Sequence, residues 1–175
     1  MMTFRPRAFL MGLLLLSACG FSPIYGDHAG SHAVTASMSD VFIESIDGQD
    51  GQFLRNKLID RLYFHGRPAA PKAFLTVVLT STEVGLGVQK DATTSRSQLE
   101  MNASYRLVGK DKKNLFSGTA HSVASYSRLT AQFGTLATQR DAYERALNEI
   151  GEQIAGRLSL YYAERERPSA TKPAP

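Results

Sequence analysis

Gln98-Leu99-Glu100-Met101-Asn102-Ala103-Ser104-Tyr105-Arg106-Leu107-Val108 decides the fold. Leu99, Met101, Ala103, Tyr105 and Leu107 alternate with Gln98, Glu100, Asn102, Ser104 and Arg106. Successive side chains of a strand point to opposite faces, so one face meets a core and the other meets water or a partner. Gly109 to Asn114 follows as a turn carrying Lys110, Lys112 and Lys113, and Leu115 to Tyr126 returns as the second arm of a hairpin. Upstream, Phe74 to Val84 is a further strand, and its nearly continuous apolar start suits a covered position. Val41 to Ile46 is a first, short strand, and a polar loop runs from Gly85 to Ser95.

Two helices complete the pattern. Leu54, Leu58 and Leu62 recur every four residues, with Phe53 and Ile59 beside them, and predict a helix over about 52–64 closed by Gly66 and Pro68. Leu136, Tyr143, Leu147, Ile150, Ile154, Leu158 and Tyr161 form one stripe of a long helix over about 135–165. On it, Asp141 precedes Arg145 by four, a favourable exposed pair. Gly151 and Gly156 interrupt it, either to admit a close neighbour or at a simple cost. The order β-α-β-β-β-α predicts an α+β two-layer sandwich, with a mostly antiparallel four-stranded sheet and two helices on one face.

The N-terminus sets the setting. Arg5 and Arg7 precede an apolar run from Ala8 to Leu16, and Leu16-Ser17-Ala18-Cys19 closes it. The run is about half the ~20 residues a spanning helix needs, so it reads as an export signal. The ending resembles a lipoprotein lipobox, which implies lipidation at Cys19 and loss of residues 1–18. Cys19 is the sole cysteine, so no internal disulfide forms and packing alone holds the fold. Gly20, where an aspartate would favour the inner membrane, leans toward the outer membrane. Residues 19–38 lack periodicity and read as a tether, residues 39–166 as the domain, and residues 167–175 (Pro-, Ala- and Ser-rich) as a disordered tail.

Composition excludes several classes. Hydrophobic content is 43% and charged content 21%, as in ordinary globular chains. The formal charge of +4 includes both signal arginines and gives no case for nucleic acid. There is no Gly-x-Ser-x-Gly elbow, His-Glu-x-x-His or phosphate loop, so the chain reads as a non-enzyme without a cofactor. His28 and His32 have helical metal-ligand spacing but lie in the tether, and read as solvated; His121 reads as a surface strand residue. The basic loop residues Lys90, Arg96, Lys110, Lys112 and Lys113 suit phosphate groups, and equally suit turns that are merely kept soluble.

Both ends of the chain point to one family. Cys19-Gly20-Phe21-Ser22-Pro23-Ile24-Tyr25 resembles the mature start of alphaproteobacterial LptE lipoproteins, with Ile24 in place of their usual leucine. Leu136 to Ala142, Ala146, Gln153-Ile154 and Arg157-Leu158 are similar to that family's closing helix. The resemblance implies an outer-membrane subunit of the lipopolysaccharide translocon. Its partner would be an LptD-type β-barrel, which it plugs and helps assemble, and its ligand would be lipopolysaccharide. Two other readings stay open at this point: a generic outer-membrane scaffold lipoprotein, and a lipid-anchored hydrolase.

Overall fold

The computed structural model describes residues 29–63, 66–86, 94–129 and 132–166. Residues 1–18, Cys19 to His28 and the tail from Arg167 lie outside them. The elements are α1 (Ala29–Ser39), β1 (Val41–Ile43), α2 (Gly48–Leu62), β2 (Ala73–Leu86), β3 (Thr94–Gly109), β4 (Asn114–Leu129) and α3 (Gln132–Glu166). One four-stranded sheet has the order β1-β2-β3-β4. β1 runs parallel to β2, and the other two pairs are antiparallel, so the sheet is mixed through its one short edge strand. The α+β sandwich expected from the alternation is present.

The alternation of β3 organises the interior. Leu99, Met101, Ala103, Tyr105 and Leu107 are buried together with Ala73, Leu75 and Val77 of β2 and Ala120, Ala124 and Tyr126 of β4. Leu54, Leu58 and Leu62 of α2 and Ala142, Ala146, Leu147, Ile150, Ile154 and Leu158 of α3 close this core from one side. Leu136, at the start of the expected stripe, is 55% exposed, because α3 overruns the core at its N-terminal end. A Cβ on Gly151 would stand 3.6 Å from Leu54 of α2, whereas one on Gly156 would meet open space. The Asp141–Arg145 ion pair forms on α3 as the spacing requires.

Several element boundaries differ from the sequence reading, among them the end of β4, which runs to Leu129, and the start of α2 at Gly48. Residues 29–39, inside the stretch read as a tether, form a helix that buries Met38 and packs Val34 against the core. Its low amphipathicity hides it from a periodicity argument. The β2–β3 hairpin is longer than expected at its loop end, reaching Leu86 and resuming at Thr94. β1 stops at Ile43, and the chain then turns into α2 through Asp47.

Two of the sheet's edges are closed by side chains rather than strands. The Gln153 amide of α3 donates to the His121 carbonyl (2.9 Å) and accepts from the His121 N–H (3.3 Å). Thr138 Oγ1 donates to the Ser127 carbonyl (2.9 Å) and Arg145 donates to the Ser125 carbonyl (3.4 Å). One polar stripe of α3 thus replaces the strand that β4 lacks. On β1, the Tyr63 hydroxyl donates to the Val41 carbonyl (2.9 Å) and accepts from the Ile43 N–H (3.2 Å), while Arg55 Nε donates to the Ile43 and Glu44 carbonyls. Unpaired edge groups invite foreign strands, so covering them keeps the chain from aggregating.

Tyr105 is buried opposite Gly118, and its hydroxyl has no hydrogen-bond partner among the described residues. A Cβ on Gly118 would stand 2.5 Å from that hydroxyl and 2.8 Å from the ring carbon bearing it. Gly118→Ala should therefore destabilise by about 1–3 kcal/mol through overpacking. Tyr105→Phe should be neutral or stabilising, since it removes an unsatisfied buried group. Gly156→Ala, with space for its methyl, should gain about 0.5–1 kcal/mol of helix stability. Denaturant unfolding midpoints of the three variants measure all three signs.

Candidate functional site

The outer face of the sheet carries no helix among the described residues. Asn102, Ser104 and Arg106 of β3 are exposed there, and Gln98 and Glu100 are half-buried. Asn102 Oδ1 lies 2.8 Å from the His121 ring, so His121 is the surface strand residue the sequence suggests. The face is less polar than β3 alone predicts. Phe42, Phe74 and Val78 join it near β1, with the two rings edge-on at 6.0 Å, and Val84, Leu86 and Val123 are exposed on it as well. Alternation along β3 could not show this, because these residues sit on the neighbouring strands.

The candidate cations do not form one cluster. Lys110, Lys112 and Lys113 crowd the β3–β4 turn, all exposed. Lys112 adopts a φ of 61°, a left-handed conformation that is uncommon for a lysine. Asp111 sits between them, 3.6 Å from Lys113 Nζ, and offsets part of their charge. Arg96 lies at the other end of β3, ~46 Å away at about 3.3 Å per residue. Lys90 lies outside the described residues. A single phosphate-bearing headgroup therefore cannot touch the lysine turn and Arg96 together. Arg128 of β4, opposite Ser95 and so on the inner face with Glu83 while Arg96 is on the outer face, is a cation that sequence reasoning missed, because the expected strand ended two residues earlier. Phe133 and Leu136 are exposed at that same end, at 90% and 55%, so that end carries both cationic and apolar groups.

On the inner face at this end, Glu83 ties the hairpin to α3. It accepts from the Tyr126 hydroxyl and from the Gln139 amide, each at 2.8 Å, and from Tyr143. Partial burial raises its pKa, but these hydrogen bonds and nearby Arg128 outweigh it, so the net shift is downward. Tyr126 and Tyr143 shift upward, through burial first and then Glu83. An open cleft of about 280 Å³ lies between the start of α2 and α3, lined by Asp50, Phe53, Tyr143 and Glu144 among others. Burial raises the Asp50 pKa. The cleft falls just below the usual range for a small-molecule pocket. Among the described residues, no group of three or more His, Cys, Asp or Glu side chains gathers to hold a metal, and His32 stands exposed. No described helix is long and apolar enough to cross a membrane.

The architecture is one found in bacterial lipoprotein domains. A lipoprotein from Caulobacter crescentus CB15 is similar at 24% identity with a TM-score of 0.63, covering 77% of this chain and 98% of that one. Lipoprotein B from Nitrosomonas europaea is similar at 15% identity and a TM-score of 0.54, covering 69% and 82%. A minor lipoprotein from Acinetobacter baumannii matches at 11% and 0.51, covering 69% and 91%. No curated protein has a significantly similar sequence. The chain belongs to the LptE family, described as lipopolysaccharide-assembly, whose model matches residues 38–158. Membership gives it a role in lipopolysaccharide assembly, and with it a place in the cell envelope.

The Glu83 network has a testable pH signature. A carboxylate with a lowered folded-state pKa stabilises above its unfolded pKa of about 4.3, and loses that contribution as pH falls through the lower folded value. Asp50, shifted the other way, contributes the opposite slope. Glu83→Gln should therefore flatten the loss of melting temperature between about pH 5 and pH 3 relative to the parent chain. Parallel melting curves that keep the same acid slope would remove Glu83 from this role.

Proposed function

We propose that this chain is the outer-membrane lipoprotein subunit of the lipopolysaccharide translocon. In this reading it is anchored through acyl chains on Cys19, occupies the lumen of an LptD-type β-barrel, assists that barrel's assembly, and binds lipopolysaccharide during insertion. It acts by binding and shape, not by catalysis. The observation that carries the reading is the helix-free sheet face, on a domain whose family serves lipopolysaccharide assembly. A hydrated barrel lumen is polar, and Asn102, Ser104, Arg106 and His121 present matching chemistry to it. The lysine turn and the distal end of the hairpin offer two separate places for anionic headgroups, the second with Arg96 on the outer face and Arg128 on the inner face, and Phe133 and Leu136 are exposed at that end for acyl chains.

Co-expression with the cognate barrel, followed by detergent pull-down and limited proteolysis, tests the partner. The complex should co-purify, with Val41 to Tyr161 protected and the segment from Pro168 still cleaved. Photo-crosslinkers at Asn102 and within Lys110–Asn114 should capture the barrel. A domain as protease-sensitive as the free chain, with no crosslink, would leave the generic scaffold reading in its place. For the anchor, Cys19→Ser should abolish acyl mass in the intact protein. For the ligand, Lys110, Lys112 and Lys113 changed together to Ser should weaken lipopolysaccharide binding and its salt dependence, with folding retained because exposed turn changes cost under ~0.5 kcal/mol.

A further inference from the structure

We infer that the free edge of β2 from Thr76 to Leu86 is a strand-pairing site for a second copy of this chain, giving a closed twofold dimer. The inference stands apart from the translocon reading and describes the chain before any partner encloses it.

β1 covers β2 only through Leu75. The last backbone bond on that side is from the Glu44 N–H to the Leu75 carbonyl, at 3.0 Å. Backbone groups alternate sides along a strand. Hence the N–H and C=O of Leu79, Ser81, Glu83 and Gly85 point away from β3, and no described residue pairs with them. Elsewhere the fold treats edges differently: Gln153, Thr138 and Arg145 close β4, and Tyr63 and Arg55 close β1. The β2 edge also lacks the usual deterrents. It has no Lys, no Pro and no bulge, and Glu83 is its only charge. Ser81 to Leu86 is exposed on both faces, so no described residue obstructs an added strand.

The sequence of this edge complements itself. An antiparallel pairing centred on Ser81 sets Val78 opposite Val84 of the second copy, Thr80 opposite Thr82, and Leu79 opposite Glu83. Val78 and Val84 are 61% and 44% exposed in the single chain, and the pairing buries them against each other. No like charges oppose one another. The outward-pointing odd residues become the hydrogen-bonded pairs, so the free groups of both copies are satisfied together. Because the remaining edges are sealed, addition stops at two copies and yields no filament.

Three variants of the full-length chain in detergent test this. Ser81→Pro removes one edge N–H, together with the Ser81 side-chain hydrogen bond to Tyr143, and leaves the β3 ladder untouched. Light scattering should show a dimer for the parent chain and a monomer for Ser81→Pro, weakened by about tenfold or more, with unchanged far-UV circular dichroism. In the pairing, Val78 and Val84 of the second copy form a non-hydrogen-bonded pair with Cα atoms about 4.5 Å apart, within disulfide reach. Val78→Cys with Val84→Cys should therefore crosslink copies on mild oxidation. Val78→Cys alone should not, its two copies lying about 20 Å apart, and it retains Cys19 as the internal control. A parent chain that stays monomeric at every soluble concentration overturns the inference. So does a dimer indifferent to Ser81→Pro. A monomeric parent whose Ser81→Pro variant fails to co-purify with the barrel also overturns it, and assigns the edge to a barrel segment.

Discussion

The odd-numbered side chains of β3 must leave water, and the other elements follow from that requirement. Leu99, Met101, Ala103, Tyr105 and Leu107 present a continuous apolar row on a strand paired along both sides. Two helices are needed to cover a row of that length. α2 meets the β1 end through Leu54, Leu58 and Leu62, and α3 spans the rest at about 52 Å. The even-numbered row needs no cover, because Asn102, Ser104 and Arg106 remain satisfied in water. One sided burial leaves one sided availability, and the functional reading rests on that asymmetry.

α3 performs two tasks with two faces. Its Ala142, Ala146, Ile150, Ile154 and Leu158 side supplies core, and small residues early in that row bring it close to the sheet. Its Thr138, Arg145 and Gln153 side follows the border of β4 and binds backbone. Arg61 of α2 reaches Glu152 of α3 at 2.7 Å; with both partners exposed, that pair adds little by itself. A polar glutamine facing a strand edge looks like ordinary surface in a sequence. Only the strand's position makes it an end-stop.

Much of the fold was legible because it rests on periodicity. The alternation of residues 98–108 and the four-residue steps of Leu54, Leu58 and Leu62 each forced one element and one buried face. α1 was not legible, since its residues are small and weakly patterned and become helical only by lying against α3. The site was harder to read than the fold. Lysine clusters are visible in a sequence, but the extended geometry of β3 separates Lys110 from Arg96 by nearly the length of the domain. The tie between Glu83, Tyr126, Gln139 and Tyr143 joins three elements far apart in the chain, and no local pattern could announce it.

The distal hairpin also sets how the molecule loosens. From Ser81 onward β2 buries nothing on either face, so among the described residues that half of the strand is held by the β3 ladder, by Glu83 and by the Ser81 hydrogen bond to Tyr143. The half that meets α2 is locked by fully enclosed leucines. Amide protons would accordingly exchange in two tiers, with the Ser81–Leu86 tip opening at low free energy while Leu75 and Val77 follow the global transition. The same domain combines a rigid base, where the chain enters from α1, with a compliant tip that can adapt its shape without unfolding what lies beneath it.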